Sequence, residues 1–414
     1  MVRVLKKDKI LFLKTFLNYC QHYLACGGPS SRLEERITKV GNRLGFLTDV
    51  YATPTGFFLT FKENEGAYPI TEFCRIEKVK INLMELTRLE KSLEKLLNEK
   101  ITVAEFNEEL SSPIYQREQK YSHFVLLIAT FLIGLVSSYY AFLDLKMSFV
   151  SGALASVSYV ILSPLSSYFK IGTIFSHFAS CLIVMIVAYL LNFLLQLPVE
   201  PAVLGSFILM VPGFAITNSV SELADQNFLS GTLKMMKALL TLLAMGMAYL
   251  LVKELAVSYV DLVWKNSLQY NLNPKSIGLS ILCVGTLIAS FAVYFHIPIW
   301  AIPISLFLGA IGLIVFQVLQ ADGVLIFPSF VMSLVVGLFS LLLGNLMKVP
   351  SQIFSVPGLL SLVPGLLAFS HFENPTQTGF MSVLLISGAI VFGLLTARIP
   401  FLLIKKDDFD HRAI

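Results

Sequence analysis

Leu209-Met210-Val211-Pro212-Gly213-Phe214 and Ser361-Leu362-Val363-Pro364-Gly365-Leu366 are two versions of one phrase. Each lies inside an apolar stretch, roughly 90 residues beyond the first apolar segment of its own half of the chain. Proline removes a backbone donor and glycine loosens a helix. In lipid the freed backbone groups need partners, so such breaks persist where they are packed in protein or face a water-filled cavity. One break alone reads as a packing kink, which is common in membrane helices. A matched pair, joined by Val356-Pro357-Gly358, points to a polar cavity between two repeated halves.

Outward from these phrases, apolar segments run at about 122–143, 147–168, 171–196, 200–217, 232–252, 277–295, 298–319, 323–345, 352–371 and 379–403. Each approaches the ~20 residues that span the hydrocarbon. The reading is a polytopic α-helical membrane protein of about ten transmembrane helices. Five spans per half is an odd number, so the halves enter the membrane oppositely, as two five-helix inverted repeats. The expected domains are residues 1–120, soluble; 121–260, the first membrane half; and 261–414, the second. Over the 414 residues, 56% are hydrophobic and 14% charged, with a mean hydropathy of +0.74. Most of the charge lies before residue 120, so one region faces water and the other lipid.

The soluble region reads as a small α+β domain. Ile10, Leu13, Leu17, Cys20 and Leu24 recur at helical spacing, which favours an amphipathic helix over a cleaved signal peptide. A second helix starts near Ser31, and its Ser31-Arg32-Leu33-Glu34 has capping-box spacing. Strands are expected at Val50–Thr53 and Phe57–Phe61 around Thr53-Pro54-Thr55-Gly56, and a third over Ile70–Ile81. A leucine stripe at Leu86, Leu89, Leu93 and Leu96 marks a further helix, and a short one follows Thr102. Lys and Arg in the short loops place this domain and both termini in the cytoplasm, with the 253–276 loop outside.

Net charge is +4 without a dense basic patch, which excludes nucleic acid as a partner. Five scattered cysteines form no zinc or disulfide pattern, and no cofactor or metal is expected. No ATP-motor or hydrolase motif occurs. Polar residues follow the first break: Thr217, Asn218, Ser219, Ser221, Glu222 and Asp225. Asn218 is a neutral ligand for a small polar solute, and Glu222 and Asp225 are candidates to take up a proton. The plainer alternative is a solvated loop in which Ser219 and Ser221 cap a helix. His177 is a third proton-coupling candidate, because an ionisable residue within a span is a functional hypothesis by default. Lys234 and Lys237 read as positive-inside anchors, and Asp322 and Glu373 as loop charges. Pro212, Gly213, Asn218, Pro364 and Gly365 are the expected substrate-binding residues.

Gly27-Gly28-Pro29-Ser30-Ser31-Arg32-Leu33-Glu34, then Leu44-Gly45, the Thr53-Pro54-Thr55 turn and Thr87-Arg88, resemble the N-terminal domain of the threonine/serine exporter (ThrE) family. Val211-Pro212-Gly213 with Asn218 and Glu222, and Val363-Pro364-Gly365, are similar to that family's two membrane motifs. The resemblance covers nearly the whole chain in order. It implies a cytoplasmic domain plus ten spans and efflux of threonine and serine driven by the proton motive force. Two-subunit relatives are implicated in succinate export, which makes a dicarboxylate the alternative cargo. The Gly-Pro-Ser-Ser form is closer to the fungal-type version, and Glu222 stands where the family commonly shows Asp. Arg32 and Glu34 carry the N-terminal motif. A hydrolase acting through that domain, or a passive channel, are the readings of another class. The implied partners are a small polar solute, protons and the lipid bilayer of a cell (inner or plasma) membrane. Oligomeric state is left open.

Overall fold

The computed structural model describes residues 6–62, 66–77, 79–112, 121–167, 172–195, 198–257, 277–320, 325–360 and 377–401. It begins with α1 (Lys6–Ala25), α2 (Ser30–Arg43), β1 (Leu47–Thr53), β2 (Gly56–Lys62), β3 (Ile70–Arg75), α3 (Leu83–Leu97) and α4 (Val103–Ser111). The strands form an antiparallel meander in the order β1-β2-β3. The β1–β2 turn closes because the Thr53 hydroxyl donates to the Gly56 carbonyl at 2.8 Å. Strand β1 alternates exposed and buried side chains, as a sheet with one covered face must. Beneath it Phe12, Phe46 and Phe61 pack with ring centroids 4.4–5.1 Å apart. Helix α2 ends at Gly45, whose φ of +82° suits glycine.

Two expectations are corrected here. The third strand stops at Arg75 rather than Ile81. The residues beyond it turn back to the end of α1, with the Lys80 and Asn82 amides donating to the Ala25 and Cys26 carbonyls. Nor does Ser31–Glu34 form a capping box. Helix α2 begins at Ser30 with Pro29 as its uncapped N-cap, so Glu34 lies too deep to reach back. A capping box does form at Thr102 and Glu105, at the start of α4.

The apolar region holds α5 (His123–Phe142), α6 (Leu145–Ser167), α7 (Thr173–Leu195), α8 (Val199–Ile208), α9 (Gly213–Ala224) and α10 (Phe228–Val257). It continues with α11 (Ile277–Tyr294), α12 (Ile302–Leu319), α13 (Ile326–Met347), α14 (Gln352–Leu360) and α15 (Gln377–Thr396). Among the described residues, seven helical stretches are long and apolar enough to cross a membrane. One of them, Gly205–Leu223, is the broken pair α8–α9. Stretches Gly278–Tyr294 and Leu385–Phe401 are apolar but shorter. Phe193, Phe307, Val318 and Phe392 point outward from these helices, as side chains facing lipid do. Most of the expected ninth segment, with Pro364, Gly365 and Glu373, lies outside the described residues, as do Asp322 and most of the 253–276 loop.

Neighbour relations recur in the two halves. Helix α5 packs on α6 and α8, α6 on α8, and α7 on α10. In the same pattern α11 packs on α12 and α14, α12 on α14, and α13 on α15. Small residues permit these crossings. A Cβ on Gly205 of α8 would lie 2.3 Å from the Gly134 carbonyl of α5. One on Gly393 of α15 would lie 2.4 Å from the Phe330 carbonyl of α13. The halves meet where α5 packs on α11, and where α9 packs on α14 and α15.

Candidate functional site

The first Pro-Gly break is where α8 gives way to α9. Pro212 has no amide to donate, and the Met210 and Val211 amides both turn to the Phe207 carbonyl. Pro212 then serves as the N-cap of α9, with φ −77° and ψ 45°. Phe214 seals the break across the halves, its ring 5.7 Å from that of Phe295.

Beyond the break, α9 presents one polar face to the second half. A cavity of about 80 Å³ opens there. Asn218 and Ser221 of α9, Ser340 of α13, Gln352 and Ser355 of α14, and Arg398 just past α15 supply its polar lining. The Gln352 side-chain amide donates to the Asn218 carbonyl oxygen at 3.5 Å. The Gln352 Oε1 and Ser340 Oγ atoms are buried and have no partner among the described residues. Such atoms cost about 1–3 kcal/mol each unless something fills the cavity and bonds to them. Arg398 donates to Ser221 Oγ at 2.6 Å and to Asp225 Oδ1 at 2.7 Å.

Glu222 faces away from that cavity. It is 2% exposed, accepts the Ser30 amide at 3.1 Å and is paired with Lys234 of α10. Its Oε2 atom has no partner among the described residues. Around it Ser30 Oγ lies 2.9 Å from Ser230 Oγ, and the Ser31 hydroxyl donates to Asp225 Oδ2 at 3.2 Å. The Gly-Gly-Pro-Ser-Ser loop is thus seated on the turn between α9 and α10. An open cleft of about 790 Å³ runs beside it, lined by Ser31, Glu34, Glu35, Asp225 and Asn227 among others.

The proposed site residues therefore separate. Asn218 reaches the cavity, whereas Glu222 and Asp225 gather where the N-terminal elements meet α9 and α10. Pro364 and Gly365 fall outside the described residues. His177 lies on α7, bonded to its own helix through the Thr173 carbonyl at 2.7 Å, and lines neither cavity. Ser219 and Ser221 are not caps: both lie within α9, where Ser219 donates to the Ile216 carbonyl.

Arg32 and Glu34 have structural partners. Arg32 and Arg36 hold the buried Glu90 carboxylate at 2.7 and 3.2 Å, and the Tyr23 hydroxyl donates to it at 3.1 Å. Burial opposes the charge on Arg32, but Glu90, with Tyr23 and Tyr19 beside it, outweighs it and the pKa ends above the ordinary arginine value. Glu34 accepts the Ala52 amide of β1 at 2.8 Å. Burial raises its pKa, and that amide only partly offsets the rise. Glu90 and Arg398 were the residues sequence reasoning missed. Glu90 interrupts a leucine stripe, and Arg398 is a lone charge in the last apolar segment, where it reads as an anchor.

Comparison with known families covers both halves. The threonine/serine exporter model ThrE matches residues 14–256, from α1 to the end of α10. A second model, described as Threonine/Serine exporter, ThrE, matches residues 280–399, from α11 past α15. No curated protein and no solved structure matches the chain.

Proposed function

The chain belongs to the threonine/serine exporter family, and from that premise we propose that it is a secondary exporter of a hydroxyl-bearing amino acid, driven by the proton motive force. Members of this family are membrane transporters, not enzymes. The observation that carries the reading is the cavity between α9 and the second half. It is lined by polar side chains of α9 and of the second half set among apolar ones, lies against a broken helix, and holds buried hydrogen-bonding atoms without partners among the described residues. Asn218 contributes to solute binding. Glu222 is the proton carrier: its free oxygen accepts the proton, and neutralisation loosens its hold on Lys234 and on the Ser30 loop.

Ten crossings as inverted repeats, with the N-terminal domain of residues 1–120 in the cytoplasm, complete the proposal. The recurring neighbour relations support the repeat. Three junctions touch the N-terminal elements: the α9–α10 turn, the Phe295–Trp300 stretch and Lys348 after α13. An alternation of ten spans that begins beside that domain puts all three of these junctions on its side. Flux of labelled threonine, serine and succinate into proteoliposomes, with and without a pH gradient, tests the function. Concentrative, gradient-dependent threonine or serine flux is expected. Downhill flux alone would make the protein a channel, and succinate alone would move it to dicarboxylates.

A further inference from the structure

We infer that Arg398 is the receptor for a substrate carboxylate, which takes the place that Asp225 holds on the guanidinium. The inference rests on the transporter reading of the cavity and adds the chemistry of what enters it. Arg398 is the single cation among the residues that line the cavity. A guanidinium offers a planar fork that a carboxylate matches with two parallel hydrogen bonds. Here the fork is split between two acceptors, only one of them charged. One terminal nitrogen donates to Asp225 and the other to the neutral Ser221 hydroxyl.

Asp225 is well placed to give way. It does not line the cavity; it lines the open cleft on the far side of Arg398, and its side chain is 34% exposed. Its second oxygen already accepts from the Ser31 hydroxyl, so on leaving Arg398 it retains a partner and gains water. An incoming carboxylate would take over Arg398 from the cavity side without leaving a buried charge alone. The exchange also reaches the N-terminal loop, because Ser31 then holds Asp225 by itself.

The rest of the lining defines the other end of the ligand. Gln352 Oε1 and Ser340 Oγ are the unpartnered atoms. They suit an ammonium or hydroxyl group, whereas a second carboxylate would meet only neutral side chains. At roughly 10–15 Å³ per water on this measure, the 80 Å³ cavity holds the equivalent of about six waters. The ligand class is a small monocarboxylate carrying hydroxyl or amino groups.

The test is competition against labelled threonine in proteoliposomes of the full chain, using unlabelled threonine, threoninamide and succinate. Threonine should compete at least about tenfold better than threoninamide, one factor of ten being about 1.4 kcal/mol. Arg398→Gln should abolish that preference and Arg398→Lys restore part of it. Asp225→Asn, which frees Arg398, should lower KM for threonine. Equal competition by threoninamide on the wild type overturns the inference without need of any variant. So does an unchanged preference in Arg398→Gln. Thermal stabilisation by threonine and glycerate, set against their amides, reads the site independently of flux. If the wild type moves no amino acid yet is stabilised by the carboxylates through Arg398, the proposed function falls and the inference stands. If it moves threonine but shows no carboxylate preference, the inference falls alone.

Discussion

Glu34 and Glu222 show how one residue type serves two ends in the same chain. Glu34 completes a sheet edge. Strand β1 pairs only with β2, so the Ala52 amide faces away from the sheet, and the Glu34 carboxylate accepts it. Glu34→Gln keeps an acceptor in place and should change stability by less than about 1 kcal/mol. Glu34→Ala leaves a buried amide unmade and should cost about 1–3 kcal/mol, measurable as a lower melting temperature. Threonine flux by the folded fraction should be unaffected in both, and its loss from a stable Glu34→Gln protein would assign Glu34 a functional role. Glu222 has no such bland account. Its carboxylate is buried, paired with Lys234 and only partly satisfied. Glu222→Gln leaves Lys234 without its counter-charge, and buried pairs broken this way lose up to about 3–5 kcal/mol. Pairing it with Lys234→Met should recover most of that stability. Under the proposed mechanism the recovered protein still exchanges solute downhill but no longer accumulates it against a pH gradient. Wild-type accumulation by the double variant would remove Glu222 from proton coupling.

Among the elements, helix crossings set the tolerance to change. Gly205 lets α8 lie against α5, and Gly205→Val would drive a side chain into the Gly134 carbonyl and the Ser151 hydroxyl, the first of which is backbone and cannot yield. Overpacking of this kind costs at least about 1–3 kcal/mol, and loss of the monodisperse peak in detergent is the expected readout. Gly285 of α11 is the control: its added Cβ meets only Leu306, at 3.9 Å, so Gly285→Ala should leave the peak intact. If both behave alike, the close approach of α8 and α5 is not limiting. Elements of this kind were largely legible in the sequence, because hydropathy and period are local properties. Where the apolar runs fall on described residues they are helical, seven stretches long enough to cross a membrane, and Pro212-Gly213 ends one helix and begins another. The misreadings arose where partners are distant in sequence. Nothing near Ser31 and Glu34 shows that the helix starts a residue early, or that β1 needs the carboxylate more than the helix does. Likewise Ser219 and Ser221 read as caps because a polar run after Pro-Gly looks like a loop, whereas α9 continues through them against the second half. Arg398 and Asp225 lie far apart in sequence, and no local pattern could have paired them.

At the scale of the whole molecule, the N-terminal domain bridges the two halves, and its two attachments differ in kind. Toward the second half, the Leu83 and Met84 amides donate to the Phe295 and His296 carbonyls, and Lys91 lies over Trp300. Lys348 adds an ion pair to Glu94. Burial alone would raise the Glu94 pKa, but the Lys348 hydrogen bond and the Arg36 charge outweigh it and hold it below the ordinary value. A depressed carboxylate stabilises the folded state above its unfolded pKa of about 4.3 and loses that contribution as pH falls through the folded value. Acid should therefore loosen this contact only below about pH 4, and Glu94→Gln should flatten that limb of a stability–pH curve. Toward the first half every contact ends on a side chain: the Ser30 amide donates to Glu222, and the Ser30 and Ser31 hydroxyls meet Ser230 and Asp225. If the halves rock against each other to alternate access, the domain cannot keep both attachments. Backbone-to-backbone hydrogen bonds at a packed junction give way less readily than a few contacts that end on single side chains. The domain should then travel with the second half and part from α10 in each cycle. Ser30 Oγ and Ser230 Oγ, buried and 2.9 Å apart, allow this to be tested directly. A Ser30→Cys/Ser230→Cys protein should be active when reduced, arrested when oxidised and active again after reduction, with the crosslinked fraction matching the flux lost. Full flux from a completely crosslinked protein would mean that the domain rides on α10 instead, and that the attachment to be broken is the one at Phe295 and His296.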